Sequence, residues 1–146
     1  MFLGEYGHTL DGKGRLFIPS KYRPACQPGV VVTRGFEHCL YIYTNDGWKA
    51  LVSGLENLPP NKKNTRSLIR FLCSGATDLA PDGQGRILLP AYLREFAGLN
   101  AEVTVIGAYD HLEVWAADEW PKVREEVEQN AEAIAEETDF RFSSLR

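Results

Sequence analysis

Apolar residues along this chain come in short runs broken by glycine, proline and aspartate, the pattern of brief strands joined by tight turns. Residues 6–10 and 77–80 read as short strands. Each meets an Asp-Gly pair, a strong turn signal because glycine tolerates positive φ and aspartate can bond nearby backbone. Compact apolar strands follow at 16–18 and 87–89, closed by Pro19 and Pro90, which suit the first turn of a helix. In the second of these helices Leu89, Leu93, Phe96 and Ala97 share a face and Gly98 can end it; in the first, Pro24 predicts a shorter or distorted helix.

Runs at 30–33 with 39–43, and at 103–106 with 112–115, predict two further hairpins across RGFEH and GAYDH. A helix carrying Trp48, Leu51, Val52 and Leu55 is expected from a cap at Asp46. Another, with Trp120, Pro121, Val123 and Val127, is expected from a cap at Asp118. Between the two halves lie the loop ENLPPNKKNT and an amphipathic helix over 66–74 with Leu68, Ile69, Leu72 and Cys73. On the last helix Val123, Val127 and Ile134 can pack on the body of the protein or on a neighbouring subunit; the body is the expectation, since an amphipathic helix needs only one apolar partner.

The elements recur because the sequence is written twice. DGKGRLFIP and DGQGRILLP agree at five of nine positions, and a shift of 71 residues lays Asp11, Gly12, Gly14, Arg15, Pro19 and Arg23 on Asp82, Gly83, Gly85, Arg86, Pro90 and Arg94. GFEHCLYIYTNDGW also resembles AYDHLEVWAADEW, so the duplicated unit extends past the motif. The division expected is a first repeat with its connecting helix over 1–75 and a second with an acidic terminal helix over 76–146. Neither half, at about seventy residues, would close a sheet comfortably alone. An α+β fold with one interlocked, barrel-like core is the expectation.

Charge changes the picture. The formal net charge is −4, yet residues 1–75 carry ten Lys/Arg against five Asp/Glu and residues 76–146 carry six against fifteen. A basic half joined to an acidic half fits a nucleic-acid face and a separate outward segment. No run of apolar residues is long enough for a membrane span, and MFLGEYGH lacks the character of a secretion signal, which makes a cytoplasmic location the expectation. Cys26, Cys39 and Cys73 lack metal-ligand or disulfide spacing and read as buried thiols; His8, His38 and His111 likewise suggest no metal site. Neither a cofactor, a small-molecule substrate nor a catalytic constellation is indicated, although His38 and His111 recur in the two copies.

The repeated DGxGR loop admits two readings. As architecture, it is a tight turn in which Asp accepts backbone N–H bonds and Arg, four residues on, pairs with it. An exposed ion pair contributes little, so this explains the arginine less well than the aspartate. As a binding element, Gly12 and Gly14, or Gly83 and Gly85, keep the backbone thin and its N–H groups accessible, while Lys13, Arg15 and Arg86 supply charge toward phosphate or a guanine edge.

The doubled motif, the opening MFLGEYGHTLD and the two-copy layout before an acidic helix resemble the bacterial MraZ family, which is similar to AbrB-type swapped-hairpin barrel regulators. The resemblance implies a pseudo-symmetric swapped-hairpin β-barrel and a transcriptional regulator that binds short direct repeats in double-stranded DNA. Those repeats would lie in the promoter of its own operon, in the cell-division and cell-wall gene cluster. It also implies a ring-shaped homo-oligomer associated with the nucleoid. The family's DxxxR signature falls on Asp11 and Arg15 and on Asp82 and Arg86, carrying the DNA-contacting arginine to Arg15 and Arg86. The first copy, with Lys13, Arg15, Lys21 and Arg23, is more basic than the second, with Gln84, Arg86, Tyr92 and Arg94. It is therefore expected to carry more of the binding.

Overall fold

The computed structural model describes residues 1–139; the terminal FRFSSLR of the second half lies outside the described residues. Among the described residues eight strands and five α-helices follow one another in an α+β order. The first half contains β1 (Glu5–Thr9), β2 (Arg15–Phe17), α1 (Arg23–Cys26), β3 (Val30–Arg34), β4 (Leu40–Thr44), α2 (Asn45–Glu56) and α3 (Lys63–Gly75). The second contains β5 (Thr77–Leu79), β6 (Arg86–Leu88), α4 (Ala91–Phe96), β7 (Glu102–Gly107), β8 (Leu112–Ala116) and α5 (Trp120–Glu137).

The strands pair across the repeats. Six of them form an antiparallel sheet in the order β1-β7-β8-β4-β3-β5, and β2 and β6 form a separate antiparallel ribbon. Thus β1 pairs with β7 of the other copy, β5 with β3, and β4 with β8; only the hairpins β3–β4 and β7–β8 are internal to a copy. The order maps onto itself when the copies are exchanged, so the body has a pseudo-two-fold axis. The sheet is open, with β1 and β5 at its edges, rather than the closed barrel expected. The short repeated strands find partners in the opposite copy, which completes a six-stranded sheet without requiring its edges to meet.

Period-two alternation sets the layers. Val30, Val32, Leu40, Ile42, Val103, Val105, Leu112 and Val114 share one buried face and pack with Leu16, Ile18, Ile87, Leu89 and Leu93. Burying each of these large side chains is worth roughly 1.5–3 kcal/mol relative to exposure, so the ribbon is fastened to the sheet by its own inward residues. On the opposite face α3 lies against β3, where the Thr33 hydroxyl donates to the Leu72 carbonyl and Arg34 donates to that of Phe71.

Helix ends follow local chemistry. Helix α4 closes as a Schellman motif: Gly98, at φ +61°, donates to the Glu95 carbonyl and Leu99 to that of Arg94. Pro24 leaves α1 a single turn after a short 3-10 segment. The α2 cap is Thr44, whose hydroxyl accepts from the Gly47 N–H at 3.0 Å, and Asp46 lies in the first turn. Neither does Asp118 cap α5, whose N-cap position is Glu119 with no side-chain cap bond. Of the three thiols, Cys26 and Cys39 are buried but Cys73 is exposed on α3. No residue of α5 is buried: Val127 and Ile134 are 49% and 43% exposed, contrary to the expected packing on the body. Instead, contacts of its first turn anchor the helix, with Trp120 against Trp115 and both the Trp120 indole and Arg124 bonded to Glu5. None of the described helices is long and apolar enough to cross a membrane.

Candidate nucleic-acid interface

The two DGxGR loops are built alike. The Asp11 carboxylate accepts from the N–H groups of Lys13 and Arg15, both at 2.9 Å, and from Arg15 Nε at 2.5 Å. In the second copy Asp82 accepts from Gln84 and Arg86 N–H and from Arg86 Nε at 2.8 Å. Backbone bonds close each turn, Gly14 N–H to Asp11 and Asp11 N–H to Arg15, with Gly85 and Asp82 matching them. These bonds hold both carboxyls below the ordinary carboxylate range. For Asp11 the backbone N–H of Arg15 does most, against an opposing desolvation, with help from the Arg15 guanidinium and the Lys13 N–H.

The geometry corrects one sequence expectation. The N–H groups of residues 13 to 15 and 84 to 86 turn inward to aspartate, so the loops present side chains rather than a backbone anion cradle. The glycines divide accordingly. Gly12 and Gly83 face open space at the tips, whereas Gly14 and Gly85 adopt φ of +87° and +81° and lie under arginines.

Those arginines come from the opposite repeat. Arg94 covers Gly14 and Arg23 covers Gly85. Each is tethered by Nε to a carbonyl at the end of its own ribbon strand, Arg23 to Ile18 at 3.0 Å and Arg94 to Leu89 at 3.1 Å. Reciprocal bonds from Ile18 N–H to Gly85 and from Leu89 N–H to Gly14 lock each loop to the far end of the other strand. The register Arg15↔Leu88, Leu16↔Ile87, Phe17↔Arg86 turns Leu16 and Ile87 inward and leaves Arg15, Phe17, Arg86 and Leu88 on the outer face.

Phe17 is 37% exposed and has two guanidinium carbons over its ring, Arg23 at 5.6 Å and Arg86 at 5.8 Å. The ribbon therefore gathers Arg15, Arg23, Arg86 and Arg94 around its outer face, with Lys13 exposed at one tip and Gln84 at the other. Lys21 is exposed too, but its ammonium lies over the Tyr22 ring and it shares no hydrogen bond or ring contact with this group among the described residues. Sequence reasoning did not place Arg94, Phe17 or Leu88 at this face. Alternation about the inward Leu16 and Ile87 is the signal that could have found the last two.

Arg15 and Arg86 use Nε for aspartate, and no hydrogen bond to their terminal nitrogens occurs among the described residues. Their side chains are 32% and 20% exposed. The carboxylate thus holds each stem in place while the outer edge of the guanidinium fork can meet a phosphate or a guanine edge. The repeated histidines are arranged differently from each other. His111 bonds to Asp110 and Glu113 between the rings of Tyr41 and Tyr43, while His38 stacks on Phe96.

Two interlocked copies of one motif thus build a ribbon surrounded by four arginines. The family model described as "MraZ protein, putative antitoxin-like" matches twice, over residues 1–71 and 72–142. The "Transcriptional regulator MraZ" of Roseiflexus sp. (strain RS-1) is 45% identical over 143 residues, covering 97% of this chain and all of that protein. Its namesakes from Moorella thermoacetica and Ligilactobacillus salivarius are each 43% identical, covering 96% and 93% of this chain and 99% and 95% of theirs. The chain belongs to the MraZ family.

Proposed function

We infer that this protein is a DNA-binding transcriptional regulator, not an enzyme, and that the β2–β6 ribbon with its two DGxGR loops is the surface that meets duplex DNA. The carrying observation is the cross-repeat gathering of Arg15, Arg23, Arg86 and Arg94 on one outward face of a chain whose net charge is negative. Concentrating cations there on a chain of net charge −4 orients the protein on the phosphate rail. The major groove admits a two-stranded ribbon. The five residues from Gly14 to Ile18 span about 14 Å at strand rise, roughly four base-pair steps. The names of the relatives support the same role.

The finer reading is that the chain recognises short direct repeats in the promoter of its own operon, within the cell-division and cell-wall cluster, as a ring-shaped homo-oligomer in the nucleoid. One ribbon carries few cations, so several ribbons on one assembly would convert weak contacts into tight binding through effective concentration. The pairing of β1 with β7 and of β5 with β3 supports a swapped-hairpin relationship between repeats 1–75 and 76–146. Titrating the DNA upstream of its gene against wild type and Arg15→Ala tests the assignment. Salt-sensitive binding that prefers this DNA over a shuffled duplex and weakens in the variant is expected; equal binding to both duplexes overturns it.

A further inference from the structure

Helix α5 and the start of α3 are complementary surfaces that the monomer leaves apart. In α5, six glutamates stand against Lys122 and Arg124, and none of its eighteen residues is buried. Helical spacing puts Val127, Ala131 and Ile134 on one stripe, with Glu126 and Glu137 along one flank and Glu128 along the other. Val127 and Ile134 on that stripe are 49% and 43% exposed, although most helical stability in proteins comes from packing an amphipathic face.

Lys63, Arg66 and Arg70 follow one another at i, i+3 and i+7 along the exposed face of α3, preceded by Lys62, with no acidic residue in that helix. The chain entering this face leaves α2 at a groove of about 340 Å³ lined by Ala50, Leu51, Gly54, Leu55 and Leu58 and, from the turn between β7 and β8, by Asp110. The Leu58 end of the groove leads directly into the basic turn, where Arg66 donates to the Pro60 carbonyl.

We propose that α5 of one copy docks against the α2–α3 face of the next, its Val127–Ala131–Ile134 stripe over the groove and its flanking glutamates toward Lys62, Lys63 and Arg70. Charge selects this head-to-tail contact. Pairing α5 with α5 would bring two strongly acidic helices together, whereas α5 on α3 brings opposite signs together. A contact between two different surfaces leaves each copy with one free donor and one free acceptor face, the condition for closing a ring rather than stopping at a dimer. This deepens the ring assembly proposed above by naming its interface, and it is independent of which DNA is read.

The test is a charge swap read by sedimentation velocity. One variant carries Lys62→Glu, Lys63→Glu and Arg70→Glu; a second carries Glu126→Lys, Glu128→Lys and Glu137→Lys; a third carries all six. Every position is exposed, and circular dichroism with thermal melts verifies folding. Each three-fold variant should fall to the mass of a single chain, their equimolar mixture should reassemble with the two variants alternating because native meets native face and swapped meets swapped, and the six-fold variant should regain the wild-type mass. Wild-type mass in the first variant, or a folded six-fold variant that stays a single chain, overturns the docking while leaving the ring intact. Wild type sedimenting as a single chain would overturn the ring as well.

Discussion

The guanidinium of Arg94 lies over Gly14 of the opposite repeat so closely that a Cβ there would sit 2.7 Å from its Nε, and Arg23 stands in the same relation to Gly85. Both glycines also hold positive φ. An alanine at either site therefore meets two penalties, the left-handed backbone, about 1–2 kcal/mol, and displacement of an arginine tethered to the ribbon end. Gly14→Ala and Gly85→Ala should each lower Tm by several degrees, whereas Gly12→Ala, in open space and without positive φ, should leave Tm nearly unchanged. Thermal melts of the three variants decide it; equal shifts would remove the distinction between tip and packed glycine.

The two loops should not contribute equally to DNA binding. Arg15 is the more exposed of the pair and has Lys13 beside it, where the second copy has Gln84. Arg15→Ala should weaken affinity by about tenfold or more, within the ~1–3 kcal/mol of a guanidinium contact to a base edge, and Arg86→Ala by less. Lys13→Ala should lower the slope of log affinity against log salt by about 1 without changing sequence preference. Fluorescence anisotropy across a salt series measures both, and an Arg86→Ala loss equal to or above that of Arg15→Ala would reverse the assignment of the leading loop.

Phe17 supports a guanidinium from each repeat, and Leu88, its counterpart, offers no ring. Since Phe17 is partly exposed, Phe17→Leu should shift Tm little yet weaken DNA binding several-fold, because Arg23 and Arg86 lose a cation–π platform worth about 0.5–1 kcal/mol for each contact. Leu88→Ala, lacking that function, should cost less. Titration calorimetry on the two variants makes the comparison.

Much of this site was legible because duplication is a local signal. Asp11, Arg15, Asp82 and Arg86 stand out as soon as the chain is shifted on itself, and turn chemistry alone predicts how each aspartate organises its loop. What periodicity does not carry is which strand pairs with which. Arg94 joins the site only because β2 pairs with β6, a contact between residues about seventy apart, and the open sheet rather than a barrel follows from the same exchange. The helix caps were missed for a different reason. Thr44, Asn45 and Asp46 are all competent capping residues, and only the backbone, extended at Thr44 and helical after it, selects the first.

Acid should dismantle the loops in a defined window. Asp11 is held at about 2 against an ordinary value of 3.8, and Asp82 is lowered in the same direction. The folded protein therefore binds fewer protons than the unfolded chain between these values, so the stabilisation from the loops is fully present above about pH 4 and is lost as pH falls through 2. Asp11→Asn removes one titrating group but keeps an oxygen for the Lys13 and Arg15 N–H groups. Its stability should lie below wild type at pH 7, and the gap should narrow as pH drops toward 2. Urea midpoints taken from pH 7 to pH 2 give the curve directly. A gap that stays constant across that range would mean the Asp11 carboxylate is no more stable in the folded loop than in the open chain, contrary to its three hydrogen bonds.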